Sequence, residues 1–299
     1  MVTQLRVVTL NVWNTRGDAA ARTALINAEL RRLEPDLVAL QEVLPEQLPG
    51  LIEGTGLHGT HQSQTSATAP PYVDRYGGTA IATRQPHRVA EVLDQRGPSA
   101  PDVPWLTLAA LVPVRPTQSA VPGIAQPELG DILFIAPTTS FRLDAEAERE
   151  RQVLALTDLE ARHRTALPTI MAGDFNADSD ASSIRYLTGR QSLSGRGTHF
   201  HDAWEVAGSG PGHTWSVDNP LATEDIETLV RQPGHRRRLD YVFIGSPHTH
   251  PLAFARVRRT RLAFDKAPDG VWASDHYGVV ADLEVGWMGS SSVTPASAT

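Results

Sequence analysis

Seven polar residues in this chain stand beside apolar runs that have the composition of buried β-strands. They are, in chain order, Asn11, Glu42, Asp174, Asn176, Asp240, Asp275 and His276. A carboxylate beside a buried strand is costly unless it is paired, binds a metal or lines a hydrated cleft. Any one of these residues alone is better explained as a turn residue or a cap. So many at strand ends are hard to explain in that way, and they predict a site that gathers carboxylates around a divalent cation.

One chemistry that suits such a set is metal-assisted attack of water on an ester, for example a phosphate ester. Mg²⁺ takes oxygen ligands, keeps several waters and binds through one or two carboxylates plus substrate phosphate. Hydrolysis also needs a positioned water, a base that takes its proton and cations that neutralise the spreading charge. The metal and His276 would supply the positive charge.

Short apolar runs and helical stretches alternate along the chain and must position these residues. Predicted strands are Leu5–Val12, Asp36–Glu42, Thr79–Thr83, Trp105–Val114, Asp131–Ala136, Leu167–Ala172, Leu239–Ile244 and Val279–Val285, and predicted helices are Ala20–Leu33 and Asp144–Arg162. The first helix should end before Pro35, because the residue before a proline disfavours the helical conformation. Strand–helix–strand units followed by strand-rich segments predict an α/β protein with helices covering sheets. We expect one domain over residues 1–287 and a disordered tail over 288–299.

Composition excludes several classes of protein. The 27 basic and 34 acidic residues leave a net charge of −7, which argues against a general nucleic-acid binder. The absence of cysteine excludes disulfides, thiolate catalysis and cysteine-ligated metals. The apolar runs fall far short of a membrane span. Because strand-like sequence begins by Leu5 and leaves no room for an export signal, we expect a cytoplasmic protein, and we expect a monomer.

The order of the motifs resembles the endonuclease/exonuclease/phosphatase superfamily of magnesium-dependent phosphoesterases, from about Val7 to Leu283. The matching stretches are TLNVW with Asn11, LVALQEV with Glu42, GGTAIATR at Gly77–Arg84, AGDFN with Asp174 and Asn176, GHTW at Gly212–Trp215, RRLDYVF with Asp240, and SDHYGV with Asp275 and His276. Singly, LQE or GDFN is a weak signal, whereas the ordered combination is specific.

This resemblance implies a four-layer α/β sandwich, with two mixed sheets packed face to face and helices outside. It implies that Glu42 is the principal Mg²⁺ ligand, helped by Asn11 and Asp275, with Mn²⁺ as a substitute ion. Asp174 and Asn176 would lie where the attacking water meets the phosphoryl oxygens. His276, backed by Asp240, would contact or protonate the phosphate. Either Asp174 or His276 is the base, and we favour Asp174.

The chain departs from the superfamily pattern after the strand at Asp131–Ala136. Many relatives carry a histidine there that binds phosphate or protonates the leaving oxygen, where this chain has Ser140. A serine hydroxyl cannot act as an imidazolium. In nuclease-like relatives that histidine pairs with the acid of an acid–Arg–Tyr run, which Asp74, Arg75 and Tyr76 resemble. We therefore take Ser140, Asp74, Arg75 and Tyr76 as candidate substrate-binding residues, although an ordinary loop explains the last three equally well.

Three functions are consistent with these observations. The first is a Mg²⁺-dependent phosphodiesterase or phosphatase that acts on a small or lipid-like phosphate ester, which the acidic charge and the single lysine, Lys266, favour. The second is a DNA endonuclease or exonuclease. The third is an altered or catalytically silent member of the superfamily, for which Ser140 is the only support.

Other polar clusters have less specific explanations. His199, His201 and Asp202 could bind a metal, but a structural role near the core is the better interpretation. His248 and His250 lie in a proline-bounded turn and are predicted at the surface. The run from His235 to Arg238 is interpreted as a solvated loop rather than a phosphate-facing patch.

Overall fold

A computed structural model describes residues 2–65, 76–96, 105–115 and 129–288 of the chain. Asp74, Arg75 and all but the first residue of the predicted tail lie outside the described residues, as does most of the loop predicted between Arg115 and Gly130. Within the described part, no helix has both the length and the hydropathy to cross a membrane.

The described elements are numbered in chain order. The strands are β1 (Val2–Asn11), β2 (Leu37–Val43), β3 (His58–His61), β4 (Gly78–Thr83), β5 (Arg88–Asp94), β6 (Leu106–Val114), β7 (Gly130–Ala136), β8 (Ile170–Asp174), β9 (Phe200–Asp202), β10 (Trp215–Ser216), β11 (Arg236–Arg237), β12 (Asp240–Gly245), β13 (Ala253–Ala263) and β14 (Gly278–Trp287). The α-helices are α1 (Ala19–Leu33), α2 (Leu48–Ile52), α3 (Glu146–His163), α4 (Ser182–Leu187), α5 (Ala203–Ala207) and α6 (Pro220–Asp225).

Two mixed six-stranded sheets form the centre of the molecule. The first has the order β13-β14-β1-β2-β4-β3, and the second has the order β5-β6-β7-β8-β12-β9. The parallel pairs are β1 with β2 and β7 with β8, and the other neighbours are antiparallel. Parallel neighbours need a crossover, which α1 and α3 supply. Each crossover returns the chain to the same edge of its sheet, so polar residues that follow parallel strands share one edge.

Three apolar layers hold this arrangement together. One lies between the sheets, with Val7, Phe134 and Val242 among its members. A second packs α1 and α2 on the first sheet, and a third packs α3 and α4 on the outer face of the second sheet. The order of layers is helix, sheet, sheet, helix, which confirms the predicted four-layer sandwich.

The strongly apolar strands and the two long helices lie where the sequence predicts them, within a few residues at each end. Asp18 caps α1, because its carboxylate accepts a hydrogen bond from the backbone N–H of Ala21 at 3.1 Å. The predicted strand at Leu167–Ala172 begins later, at Ile170, and continues to Asp174. The short strands β3, β5 and β9 were not predicted. The residues of β5 are all half-buried or exposed, so its sequence carries no buried periodicity to detect.

Candidate active site

The sheet pairing brings the predicted site residues to one end of the sandwich. Asn11 ends β1, Glu42 lies in β2 beside it, and Asp174 ends β8 in the other sheet. Asp240 opens β12 directly opposite Asp174 in the antiparallel ladder. His276 lies just before β14, the other neighbour of β1. Residues far apart in the chain therefore meet because their strands share an edge.

Asn11 joins the two sheets at this end. Its amide Nδ2 donates to Glu42 Oε1 at 3.1 Å and to Asp174 Oδ2 at 3.1 Å. Its Oδ1 accepts from the backbone N–H of Trp13 at 2.9 Å, which fixes the orientation of the amide. One neutral side chain thus holds two carboxylates, one from each sheet, in hydrogen-bond contact.

Asp174 is buried, and its second oxygen is also held. Oδ1 accepts from the backbone N–H of Asn176 at 2.9 Å, and the side-chain amide of Asn176 donates to the Thr139 carbonyl at 3.1 Å. Burial, followed by the neighbouring carboxylate of Asp240, raises the pKa of Asp174 to about 7. A carboxyl with a pKa near neutrality can accept a proton from water and release it again.

His276 and Asp240 form a buried pair. Nδ1 of His276 lies 2.9 Å from Oδ2 of Asp240, and Oδ1 of Asp240 is buried without a hydrogen-bond partner among the described residues. Burial opposes the charged imidazolium, but Asp240 and Asp275 outweigh it and raise the pKa of His276 well above its ordinary value. Because Asp240 engages Nδ1, the second ring nitrogen is the one that can meet a substrate.

Glu42 lies at a break in the ladder between β2 and β4. Its φ is +54°, and the register shifts between Leu40 and Val43. Gly77 packs against this break with φ +71°, and a Cβ there would lie 2.5 Å from the carbonyl carbon of Glu42. Only glycine fits so close an approach, which gives the first glycine of GGTAIATR a physical reason. Left-handed backbone at a non-glycine residue is costly and concentrates at functional sites.

The residues present fit a hard divalent cation. Burial, followed by the carboxylate of Asp275, raises the pKa of Glu42 to about 8, and burial also raises the pKa of Asp275. Crowded carboxyls of this kind hold protons that a cation can displace. The ligand atoms of Asp174, Asp240 and His276 lie within 4.8 Å of one another, a spacing that could hold a metal ion. The assignment of the ion to the oxygen donors Glu42, Asn11 and Asp275 stays a prediction.

Sequence reasoning missed Arg22, a buried residue of α1 that holds the site loops. Its five N–H donors all meet backbone carbonyls, at Val12, Trp13, Asn14, Arg16 and Ala273, over distances of 2.6–3.2 Å. The first four belong to the loop after β1, and Ala273 belongs to the segment that leads to Asp275 and His276. No carboxylate neutralises this guanidinium by direct contact in the described residues, although Asp275 and Glu42 interact with its charge. An isolated arginine early in a helix carries no local signal of this role.

Ser140 is buried rather than open to the site. Its backbone N–H donates to Gln152 Oε1 at 2.9 Å, its hydroxyl accepts from Gln152 Nε2 at 3.2 Å, and Arg149 donates to its carbonyl. Tyr76 packs with Phe141 against Trp105. Whether Ser140 or Tyr76 contacts substrate stays a prediction.

The interpretation of the run from His235 to Arg238 as a solvated loop is wrong for Arg238, whereas Arg236 is exposed. Arg238 is buried, its guanidinium bonds Asp202 at 2.6 Å and stacks 4.4 Å from the centre of the Tyr241 ring. Arg237 pairs with Asp178, and Arg236 pairs with Asp218, each at 2.7 Å. The three arginines are therefore structural partners of carboxylates.

Carboxylates and a histidine thus lie together at one end of an α/β sandwich, an arrangement that suits hydrolysis of an ester with a divalent cation. The profile of the endonuclease/exonuclease/phosphatase family matches residues 8–276, and the chain belongs to this family. The reaction class that goes with this membership is hydrolysis of a phosphate ester. No protein of curated function matches the chain significantly.

Solved structures show the same fold at low sequence identity. D. rerio TDP2, complexed with a single-strand DNA product, is 19% identical over 94% of this chain and 98% of that one, with a TM-score of 0.63. The endonuclease/exonuclease/phosphatase from Bacteroides vulgatus is 16% identical over 94% and 98%, also at 0.63. A conserved protein of unknown function from Enterococcus faecalis V583 is 19% identical over 93% and 99%, again at 0.63. At such identities the likeness shows the fold alone.

Proposed function

We propose that this protein is a Mg²⁺-dependent hydrolase of a small or lipid-like phosphate ester, which it cleaves by in-line attack of water. The observation that carries the proposal is the continuous set of contacts in which Asn11 joins Glu42 to Asp174, while Asp240 faces Asp174 and holds His276. This set combines a base, a cationic donor and a group of carboxylates that a divalent ion would neutralise.

Each residue has a separate part in the proposed reaction. Mg²⁺ bound by Glu42, Asn11 and Asp275 would neutralise charge that develops on the phosphoryl oxygens. Asp174 accepts the proton of the attacking water, and its contacts with Asn11 and Asn176 hold it in place. His276 keeps its proton through Asp240 and donates from the other ring nitrogen to the phosphate.

Charge pairing near the site supports a small substrate over a polynucleotide. Arg16 pairs with Asp225, Arg237 with Asp178 and Arg236 with Asp218, each within 2.7 Å. A nucleic-acid groove needs cations that are available to neutralise successive phosphates. These three arginines already have carboxylate partners, and the chain carries a net charge of −7.

A substrate panel tests this proposal. Aryl phosphodiesters, aryl phosphomonoesters and lipid phosphate esters would be assayed with Mg²⁺ or Mn²⁺ beside plasmid and single-stranded DNA at low salt. We expect turnover of at least one small ester, loss of turnover with chelator, and no turnover by Asp174→Asn. Cleavage of DNA alone would contradict the small-substrate proposal, and no turnover of any ester would favour the silent-member alternative.

A binding experiment tests the assignment of ligands. Calorimetry should show that Glu42→Gln loses Mg²⁺ binding, whereas His276→Gln retains it because the histidine is not a ligand. The opposite pattern would place the ion on Asp174, Asp240 and His276 instead.

DNA remains the second candidate substrate, because D. rerio TDP2 was crystallised with a single-strand DNA product. This candidate predicts Mg²⁺-dependent cleavage that weakens steeply as salt rises, since each neutralised phosphate releases counterions. Turnover that is insensitive to salt would argue against it.

A further inference from the structure

Three histidines gather at the outer edge of the second sheet, apart from the candidate active site. His199 immediately precedes β9 and His201 lies within it, so the two side chains point to the same face of the strand. Their ring centres lie 4.9 Å apart, with the ring planes at 82°. His201 pairs with Ile244, four residues along β12 from Asp240, which is roughly 13 Å at the rise of a strand.

The third histidine, His248, comes from the turn that follows β12. Gly245 at the end of β12 pairs with Phe200, so the turn after Gly245 lies beside the residues before Phe200. The turn closes on the Ser246 carbonyl, which accepts from the backbone N–H groups of Thr249 and His250. The His248 ring centre lies 6.4 Å from that of His199. His248 is exposed as predicted, whereas His250 is buried, which corrects the prediction that both lie at the surface.

The spacing of the first two rings is that of two imidazoles on one ion. An imidazole nitrogen lies about 2 Å from a bound transition metal and about 1 Å from its own ring centre, so two ligand rings stand roughly 4.5–5.5 Å apart at tetrahedral angles. The 4.9 Å separation of His199 and His201 falls within this range. The exposed His248, whose ring centre lies 6.4 Å from that of His199, is the third imidazole at this edge.

A second feature also indicates a ligand. Nδ1 of His199 is buried and has no hydrogen-bond partner in the described part of the chain. A buried polar atom in a native protein normally has a partner, and a bound cation or a bound water would supply one for Nδ1. A simple edge-to-face contact between rings would leave this nitrogen unexplained.

We propose that His199 and His201, completed by His248, form a second cation site that takes a transition metal of the Zn²⁺, Cu²⁺ or Ni²⁺ kind. Neutral imidazole suits these ions, whereas Mg²⁺ prefers oxygen ligands and octahedral geometry. The two ends of β12 would therefore select different cations. An ion at this site would link β9 to the turn after β12 and hold the edge strand in place.

Calorimetric titration of the tag-free protein with Zn²⁺, in excess Mg²⁺, tests the proposal. The wild-type chain should bind one equivalent in the micromolar range. His199→Ala or His201→Ala should weaken this binding by about tenfold or more, and His248→Ala should weaken it less. His58→Ala, at an exposed histidine of the first sheet, is the matched control and should bind Zn²⁺ as the wild type does. Equal isotherms for wild type and all three site variants would overturn the proposal.

Two further measurements keep the result independent of folding and of the active site. Cu²⁺ bound to the wild-type protein should show splitting from at least two ligand nitrogens in its electron paramagnetic resonance spectrum. A spectrum without nitrogen splitting, as expected for oxygen ligands alone, would overturn the proposal. Asp174→Asn should retain Zn²⁺ binding. Loss of Zn²⁺ binding in that variant, with retention in His199→Ala, would place the ion in the carboxylate cluster.

Discussion

Two groups of buried charge in this protein are built in opposite ways. Asp202 and Arg238 form a one-to-one pair at 2.6 Å, in which Asp202 also accepts the backbone N–H of Trp204 and caps α5. At the active-site end, Glu42, Asp174, Asp240 and Asp275 have no guanidinium in direct contact among the described residues, and His276 is the one cationic side chain that bonds any of them.

This difference shows which charges are structural and which are available for chemistry. Removing one partner of a buried pair leaves an uncompensated charge, so Asp202 and Arg238 depend on each other for stability. The carboxylates at the other end repel one another, and burial followed by the neighbouring carboxylates raises the pKa values of Glu42 and Asp174. Hydrogen bonds from Asn11 and His276 hold some of them, and a bound cation would stabilise the whole group. We call the Asp202–Arg238 pair the closed group, because each charge has its partner within the protein. We call the four carboxylates Glu42, Asp174, Asp240 and Asp275 the open group, because a cation can still bind them.

The largest expected effect is a loss of activity without a loss of stability when one carboxylate of the open group is neutralised. Asp174→Asn should lower kcat on any accepted ester by about a thousandfold or more, which is about 4 kcal/mol in activation free energy. The metal-free variant should unfold at the same temperature as the parent or higher, because one member of a repelling set has been neutralised. Steady-state kinetics and calorimetry check both expectations. Asp158→Asn, at an exposed ion pair with Arg196, is the control. A stable variant with parental kcat would remove Asp174 from the mechanism.

The closed group should show the reverse behaviour. Arg238→Met should lower the free energy of unfolding by about 3–5 kcal/mol, because Asp202 is left buried and unpaired. Adding Asp202→Asn, which keeps the cap on α5, should recover much of the loss. Urea unfolding of the two variants measures this difference. If the single variant were as stable as the parent, the pair would contribute little to folding.

Arg22 differs from both groups, because it is a buried cation whose hydrogen-bond partners in the described part of the chain are all backbone carbonyls. Arg22→Lys offers three N–H donors where five carbonyls accept from the arginine. The loop after β1 and the segment before Asp275 should therefore no longer be held in a fixed relative position. We expect about 10–100-fold weaker Mg²⁺ binding and lower kcat with little change in KM. Added guanidinium should partly restore kcat in Arg22→Ala. A variant that unfolds early but keeps parental Mg²⁺ affinity would show a purely structural role.

A further expected effect is on pH dependence. The folded metal-free protein holds protons on Glu42 (pKa about 8) and Asp174 (pKa about 7) that the unfolded chain releases near its ordinary values. Between the ordinary pKa of a glutamate or aspartate and pH 8, the folded protein therefore binds more protons than the unfolded chain does. Its free energy of unfolding falls as the pH rises through this range. Mg²⁺ displaces these protons, and its affinity should rise about tenfold per pH unit for each proton released. Thermal unfolding with and without Mg²⁺ from pH 6 to 9 measures both trends, and a Mg²⁺ affinity independent of pH would contradict the protonated carboxyls.

Much of the fold was predictable because its strongest signals are local. The apolar runs of the central strands and the periodicity of α1 and α3 identify these elements from neighbouring residues alone. The short strand β9 was missed because three residues give no measurable alternation. His250 was placed at the surface because its turn is polar, whereas contacts with Thr169 and Glu160 bury it.

By itself, the sequence determined the order of the elements, the kinds of side chain at their ends and the family to which the chain belongs, since motifs and periodicity are properties of short stretches. Only the tertiary structure decided which of those side chains touch. Asn11 meets Asp174 across 163 positions of the chain, and Arg22 meets Ala273 across 251. Contacts of that range depend on strand order and sheet packing, which the local pattern of residues does not encode.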